Sequence, residues 1–208
     1  MVNPRARKDS NYKPFFKRHL LPICIAFVVT FIGLFGSDMT LWLRFDRNAI
    51  LSGEVWRIFT GHLAHLSWKH LLMNVLGLAL VWALFDRCLS TKRWLHTILY
   101  SALGISLMLL VIDSHLRWYV GLSGVLHGMF MVGVLYDLKS GRWDAKLLLL
   151  LIIAKLLYEQ LVGPLPGSEK TVGGSVVVDA HLFGAITGII TYMVFRRVDS
   201  RSVVAHQH

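Results

Sequence analysis

Charge is scarce in this chain. Only 16% of its 208 residues are charged while 55% are hydrophobic, against roughly 25% charged in a soluble globular domain. A water-soluble single domain is therefore a poor fit. Apolar stretches recur along nearly the whole length instead, the pattern of a polytopic membrane protein. Cysteine is also nearly absent. Cys24 and Cys88 belong to no CxxC pair, which removes the usual zinc and dithiol motifs. Both fall toward the side read below as cytoplasmic, where disulfides are disfavoured. No small-x-small cleavage site follows the first apolar run, and no internal repeat or low-complexity tract is present. Acidic residues are outnumbered by basic ones, 12 to 22. The basic residues form no stripe interleaved with exposed aromatics, so nucleic acid is not the expected partner and the lipid bilayer is.

Six apolar runs predict six spans. The first, Leu20 to Phe35, reads as an uncleaved signal-anchor helix, and the others cover approximately 68–86, 94–112, 118–136, 145–162 and 175–195. Each has about 18–20 residues, enough at 1.5 Å per residue to cross roughly 30 Å of hydrocarbon. With the N-terminus inside, fifteen Lys and Arg flank the inner ends and six the outer ends. That asymmetry predicts both termini in the cytoplasm. The expected organisation is a basic tail over 1–18, a membrane domain over 19–197 and a short tail over 198–208. The first outer connection, 37–67, mixes Trp42, Phe45, Trp56 and Phe59 with Arg44, Arg47 and Arg57, as interfacial segments do. The connection Gly163–Gly174 is rich in turn formers and reads as the mobile outer element.

In this topology the second, fourth and sixth spans enter from the outside. Ser123 lies about six residues into the fourth and His181 about six into the sixth, so both sit on the order of 9 Å below the outer boundary. His70 and Asn74, at i and i+4 on the second, enter at similar depth. Polar groups at membrane depth are costly unless partnered or facing a wet cavity, which makes this layer the candidate functional site. A serine hydroxyl becomes a nucleophile when an imidazole takes its proton. His70, the Asn74 amide and a backbone N–H near Ser123 can hold the oxyanion that follows. Gly121 and Gly124 leave room for a substrate backbone. Gly124-x-x-x-Gly128 and Gly184-x-x-x-Gly188 are small-residue faces through which two helices can approach closely.

Trp56-Arg57, His65-x4-His70-x3-Asn74, Gly121-x-Ser123-Gly124 and Ala180-His181-x2-Gly184-x3-Gly188, in that order over residues 54 to 190, resemble the rhomboid family of intramembrane serine proteases. The resemblance implies an all-α membrane protein, a six-transmembrane-helix rhomboid-like bundle with a long first outer loop. It implies Ser123 as nucleophile and His181 as general base, a Ser-His dyad. His70 and Asn74 then stabilise the oxyanion, with Gly121 and His127 in support and no metal or other cofactor. Four residues after the nucleophile many rhomboids carry a tyrosine that stacks on the base, and here that position is His127. Gly121-Leu-Ser-Gly-Val-Leu-His127-Gly128 and the compact length are similar to the rhombosortase branch. That similarity implies a bacterial inner-membrane enzyme whose partners are membrane-anchored protein substrates. Their anchors carry a C-terminal Gly-Gly, a hydrophobic helix and a basic tail, and the cut falls near the outer face.

Several residues keep a plainer reading beside the chemical one. His127 at i+4 from Ser123 is a stacking support or, less simply, a base or proton shuttle. Asp179 is two residues from His181 and points to another helix face, so it belongs at the outer rim or is bonded to another helix. Lys155 and Glu159, at i and i+4, read as a structural ion pair within the fifth span. Trp56 and Arg57 read as staples of the outer loop. His62, His65 and His70 lack the carboxylate or thiolate partners of a metal site. The competing functions are a silent rhomboid-like protein that binds membrane helices and a histidine-rich carrier of haem or metal. Silent relatives generally lack the serine or the histidine; both are here.

Overall fold

The computed structural model describes residues 15–205, in ten helices and one two-stranded ladder. Six helices are long: α1 (Phe15–Leu34), α5 (Trp68–Phe85), α6 (Thr91–Val111), α7 (Ser123–Lys139), α8 (Trp143–Leu161) and α10 (Val178–Ala205). Between α1 and α5 lie α2 (Gly36–Leu43), β1 (Phe45–Asp46), α3 (Arg47–Leu51) and α4 (Arg57–Thr60); β2 (Trp118–Tyr119) precedes α7 and α9 (Ser168–Val172) precedes α10. Among the described residues, α5, α6 and the Val178–Ser200 part of α10 are long and apolar enough to cross a membrane. A fourth candidate joins Arg18–Leu34 to Gly36–Leu43 across a 117° bend. The expected 118–136 run begins its helix only at Ser123, leaving α7 with 17 residues. α8 carries Asp144, Lys146, Lys155 and Glu159 in its 19. Residues 1–14 of the expected basic tail and 206–208 at the far end lie outside the described part. The segment expected as a tail from 198 instead continues α10 to Ala205, where Asp199 is clasped by both terminal nitrogens of Arg93.

α7 is the central rod. It is apolar on every side, as a helix surrounded by others should be, and α5, α6, α8 and α10 all pack on it. Its contact with α10 is backbone against backbone. A Cβ added to Gly184 would lie 2.0 Å from the Gly124 carbonyl oxygen, and one on Gly188 would lie 2.5 Å from that of Gly128. Larger side chains fill the other seams, with Phe85 of α5 against Gly133, while Val125, Met129 and Val132 are fully enclosed. Outward, α1, α5 and α8 expose Phe27, Leu76, Leu80, Leu150 and Leu157, a surface suited to hydrocarbon.

The segment before α5 is organised by arginines. Arg47 donates to four carbonyl oxygens at the end of α6 (Leu109, Leu110, Asp113 and Leu116) over 2.5–2.9 Å, satisfying acceptors that a helix C-terminus leaves open. Arg57 is buried, pairs with Glu54 at 2.7 Å and donates to the carbonyls of Leu41 and Arg44. The ladder pairs Phe45 with Tyr119 and Asp46 with Trp118, antiparallel. Gly61 presses so closely on Phe45 that a Cβ there would sit 2.5 Å from its nitrogen, and the Gly61 carbonyl accepts the Gly121 N–H at 3.1 Å. These contacts fix where the chain enters α7. His62, inside this segment, reaches the Ala102 carbonyl and Ser106 hydroxyl of α6 at 3.0 Å each. Burial pushes its imidazole down to about 4. Cys24 and Cys88 are free thiols. Cys88 donates to Asp137 at 3.2 Å, and burial, then that carboxylate, push it up to about 12.

Candidate active site

Gly121 adopts φ +124°, a conformation open to glycine and strained for other residues. It turns the chain from β2 into α7, and the Tyr119 hydroxyl locks the turn by donating to the Gly121 carbonyl at 2.6 Å. Ser123 is consequently the first residue of α7 rather than one six residues inside it. His181 is the fourth residue of α10. The glycine crossing of the two rods, one turn below, brings Ser123 Oγ to 2.9 Å from His181 Nε2.

The other imidazole nitrogen has a partner the sequence reading did not assign. His181 Nδ1 lies 2.9 and 3.1 Å from the two carboxylate oxygens of Glu159 on α8. Glu159 is buried and also accepts from Lys155 Nζ at 2.8 Å. The expected pair of Ser123 and His181 therefore has a carboxylate behind it. Asp179 is not that carboxylate; among the described residues no hydrogen bond or ion pair to it is found. A signal for Glu159 existed in the i, i+4 pair Lys155/Glu159 near the outer end of an apolar run. Its target on another helix could not be read from spacing.

His127 stacks on His181 with ring centroids 4.4 Å apart and planes 19° from parallel. Its Nδ1 is 2.7 Å from the Ser123 carbonyl and its Nε2 2.7 Å from Lys155 Nζ. His70 and Asn74 lie on α5, whose start is capped by the Ser67 hydroxyl accepting the His70 N–H at 3.2 Å. The same hydroxyl donates to the Val172 carbonyl at 2.7 Å, tying α5 to α9. The Leu66 N–H points at His70 Nδ1, 3.4 Å away, which leaves the ring's proton on Nε2. That edge faces Gly121: a Cβ there would meet His70 Nε2 at 2.9 Å and Asn74 Nδ2 at 3.9 Å. Any side chain at 121 would occupy the space between the two donors and the serine.

His65 packs edge-on against His70 at 5.0 Å, and burial, then the neighbouring His70, push it down to about 3. His62 faces α6, so the three histidines of this region do not converge on a metal. Among the described residues the group with metal-like spacing is His127, Glu159 and His181, whose ligand atoms all lie within 4.8 Å of one another; Lys155 Nζ stands among them. Ser123, His181, His70, Asn74, Lys155 and Glu159 border one cavity of about 300 Å³, lined further by Leu165, Ser168 and Val172 and by Phe130 and Ile152.

A hydroxyl on an imidazole, with two donors across a glycine gap, is the equipment of an acyl-transfer enzyme. The rhomboid-domain family model matches residues 52–198, and the chain belongs to that family. Rhomboid proteins are in general intramembrane serine proteases. Together with its apolar helices, this makes the chain a membrane protein of a hydrolase family.

Proposed function

We propose that the chain is an intramembrane serine endopeptidase, and the observation that carries this reading is the 2.9 Å contact between Ser123 Oγ and His181 Nε2. His181 accepts the hydroxyl proton as Oγ attacks the scissile carbonyl. The Nδ1–H points at Glu159, which fixes the tautomer that leaves Nε2 free to accept and stabilises the imidazolium that forms. The oxyanion takes hydrogen bonds from His70 Nε2–H, the Asn74 amide and the first N–H groups of α7, which a helix leaves without internal partners. His181 then returns its proton to the departing amine, and water cleaves the acyl-serine by the same route in reverse. His127 acts as a stacking support.

Six spans with both termini in the cytoplasm accommodate this chemistry. α7 is wrapped by its neighbours and does not need a full apolar span, and α8 turns Lys155 and Glu159 toward the cavity while Leu150 and Leu157 are exposed. The active site then opens toward the outer side of a bacterial inner membrane. The substrates are membrane-anchored proteins with a Gly-Gly, hydrophobic-helix and basic-tail terminus, as in the rhombosortase branch. Glycine fits, because a helix must unwind before a serine reaches its backbone and each glycine weakens it by about 1 kcal/mol.

A fluorophosphonate probe tests the reading. Folded wild-type protein in detergent or bilayer should label, and Ser123→Ala should not. Absence of labelling in the wild type would return the chain to the silent, helix-binding reading. For the substrate class, a reporter with the Gly-Gly anchor should be released on co-expression, and replacing Gly-Gly with Leu-Leu should stop it; equal release of both overturns the assignment.

A further inference from the structure

Lys155 is a lysine within a helix whose neighbours Leu151 and Leu157 are exposed. Its ammonium turns inward, where three atoms face it: His127 Nε2 at 2.7 Å, Glu159 Oε2 at 2.8 Å and His181 Nδ1 at 3.1 Å. Proton accounting decides what each contact is. The Ser123 carbonyl can only accept, so the His127 nitrogen 2.7 Å from it, Nδ1, carries that ring's proton. His127 Nε2 is then a bare lone pair, and Lys155 supplies its donor. His181 must present a bare Nε2 to the serine hydroxyl, so its Nδ1 carries the proton and donates to Glu159. The approach of Lys155 to His181 Nδ1 is therefore proximity rather than a hydrogen bond. Two ammonium protons are spent, on His127 and on Glu159.

The same three atoms have the mutual spacing of a metal cage. Lys155 Nζ stands among them at 2.7, 2.8 and 3.1 Å; the two shorter distances are ammonium hydrogen bonds, and all three exceed zinc–nitrogen bonds at about 2.0–2.1 Å. We infer that Lys155 is a positioning residue: its ammonium is a built-in cation that holds the Glu159 carboxylate on His181 Nδ1 and the His127 ring in its stacked orientation. The inference rests on the Ser123–His181 reading of the site and extends it. Removing the ammonium leaves a buried carboxylate with no countercharge, held by the His181 Nδ1–H alone, and a buried charge without its partner is costly to keep in place. It also strips His127 Nε2 of its donor, so neither support of the His181 ring keeps a single geometry.

The experiment compares fluorophosphonate labelling of wild type, Lys155→Ala and Lys155→Arg in detergent, each checked for folding by thermal melting. Outer partners of this kind typically contribute about 10- to 100-fold to activity. Lys155→Ala should therefore label about 10- to 100-fold more slowly at saturating probe, with half-saturation little changed. Lys155→Arg, or ethylammonium added to the alanine variant, should restore part of the rate. Equal rates in wild type and Lys155→Ala would overturn the inference. So would a loss that neither the arginine nor the added cation recovers, since that is the behaviour of a packing residue. Failure of the wild type to label would instead overturn the protease reading itself, so the two failures are distinct.

Discussion

The crossing of α7 and α10 sets the distance between Ser123 and His181, the pair proposed to react, and Gly184→Ala tests that dependence. The added methyl carbon would lie 2.0 Å from the Gly124 carbonyl oxygen and 2.8 Å from its carbon. Carbon–oxygen contacts of this kind settle near 3.3–3.6 Å, so the rods must separate by about 1.3 Å. No rotamer change can absorb this, because both obstructing atoms are backbone. Gly184 is three residues beyond His181 and Gly124 is next to Ser123, so the displacement reaches the pair almost undiminished. A hydroxyl–imidazole distance of 2.9 Å becomes about 4 Å, outside hydrogen-bond range. A misplacement of about 1 Å can cost roughly 100-fold and a lost general base roughly 100- to 10,000-fold. Labelling by a fluorophosphonate should therefore fall at least about 100-fold, with a lower melting temperature. Gly77→Ala is the control: its nearest neighbour is the rotatable Leu126 Cδ1 at 3.0 Å, and its labelling should stay within a few-fold of wild type. A folded Gly184→Ala protein that labels at the wild-type rate would refute the proposed coupling of helix spacing to chemistry.

Glu159→Gln should lower the labelling rate by about 100- to 10,000-fold with little change in melting, because the amide can bond Nδ1 without fixing the tautomer; unchanged labelling would reduce Glu159 to packing. His127→Phe, which keeps a stacking ring, should retain most labelling while His181→Ala loses it, and the opposite outcome would exchange their roles. His70→Ala and Asn74→Ala should each lower kcat by about 100-fold, roughly 3 kcal/mol, with KM little affected; a change confined to KM would remove them from the oxyanion site. Acid should destabilise the fold through His62. Its folded value of about 4 lies below the ordinary 6.5, so the unfolded chain binds the proton first. The stabilisation it gives is complete above about 6.5 and is lost as pH falls toward 4, amounting to about 3 kcal/mol. A melting temperature that stays flat from pH 7.5 to 4.5 would contradict this.

Ser123, His181, His70 and Asn74 were readable as candidates because each sits in a short local motif on its own apolar run, and the structure gathers all four around one cavity. The long helices were readable from apolar periodicity, to within a few residues at most ends. The start of α7 was not. The apolar run over 118–136 extends through Trp118 and Tyr119, yet those two residues pair with Phe45 and Asp46, a non-local preference that hydropathy does not encode. Glu159 and Lys155 were visible as an ionisable pair, and i, i+4 spacing correctly placed them on one helix face. What spacing could not supply was the neighbour of that face. The meeting of α8 with His181 and His127 is set by how α8 and α10 both lean on α7, and this belongs to the packed bundle alone.

One hydroxyl group joins two tasks at the start of α5. Ser67 Oγ caps the helix that presents His70 and Asn74 and, in the same stroke, grips the backbone of α9, which borders the cavity, through Val172. On the proposed protease reading, a polypeptide entering past α9 breaks or drags that grip, which ties its admission to the placement of both donors.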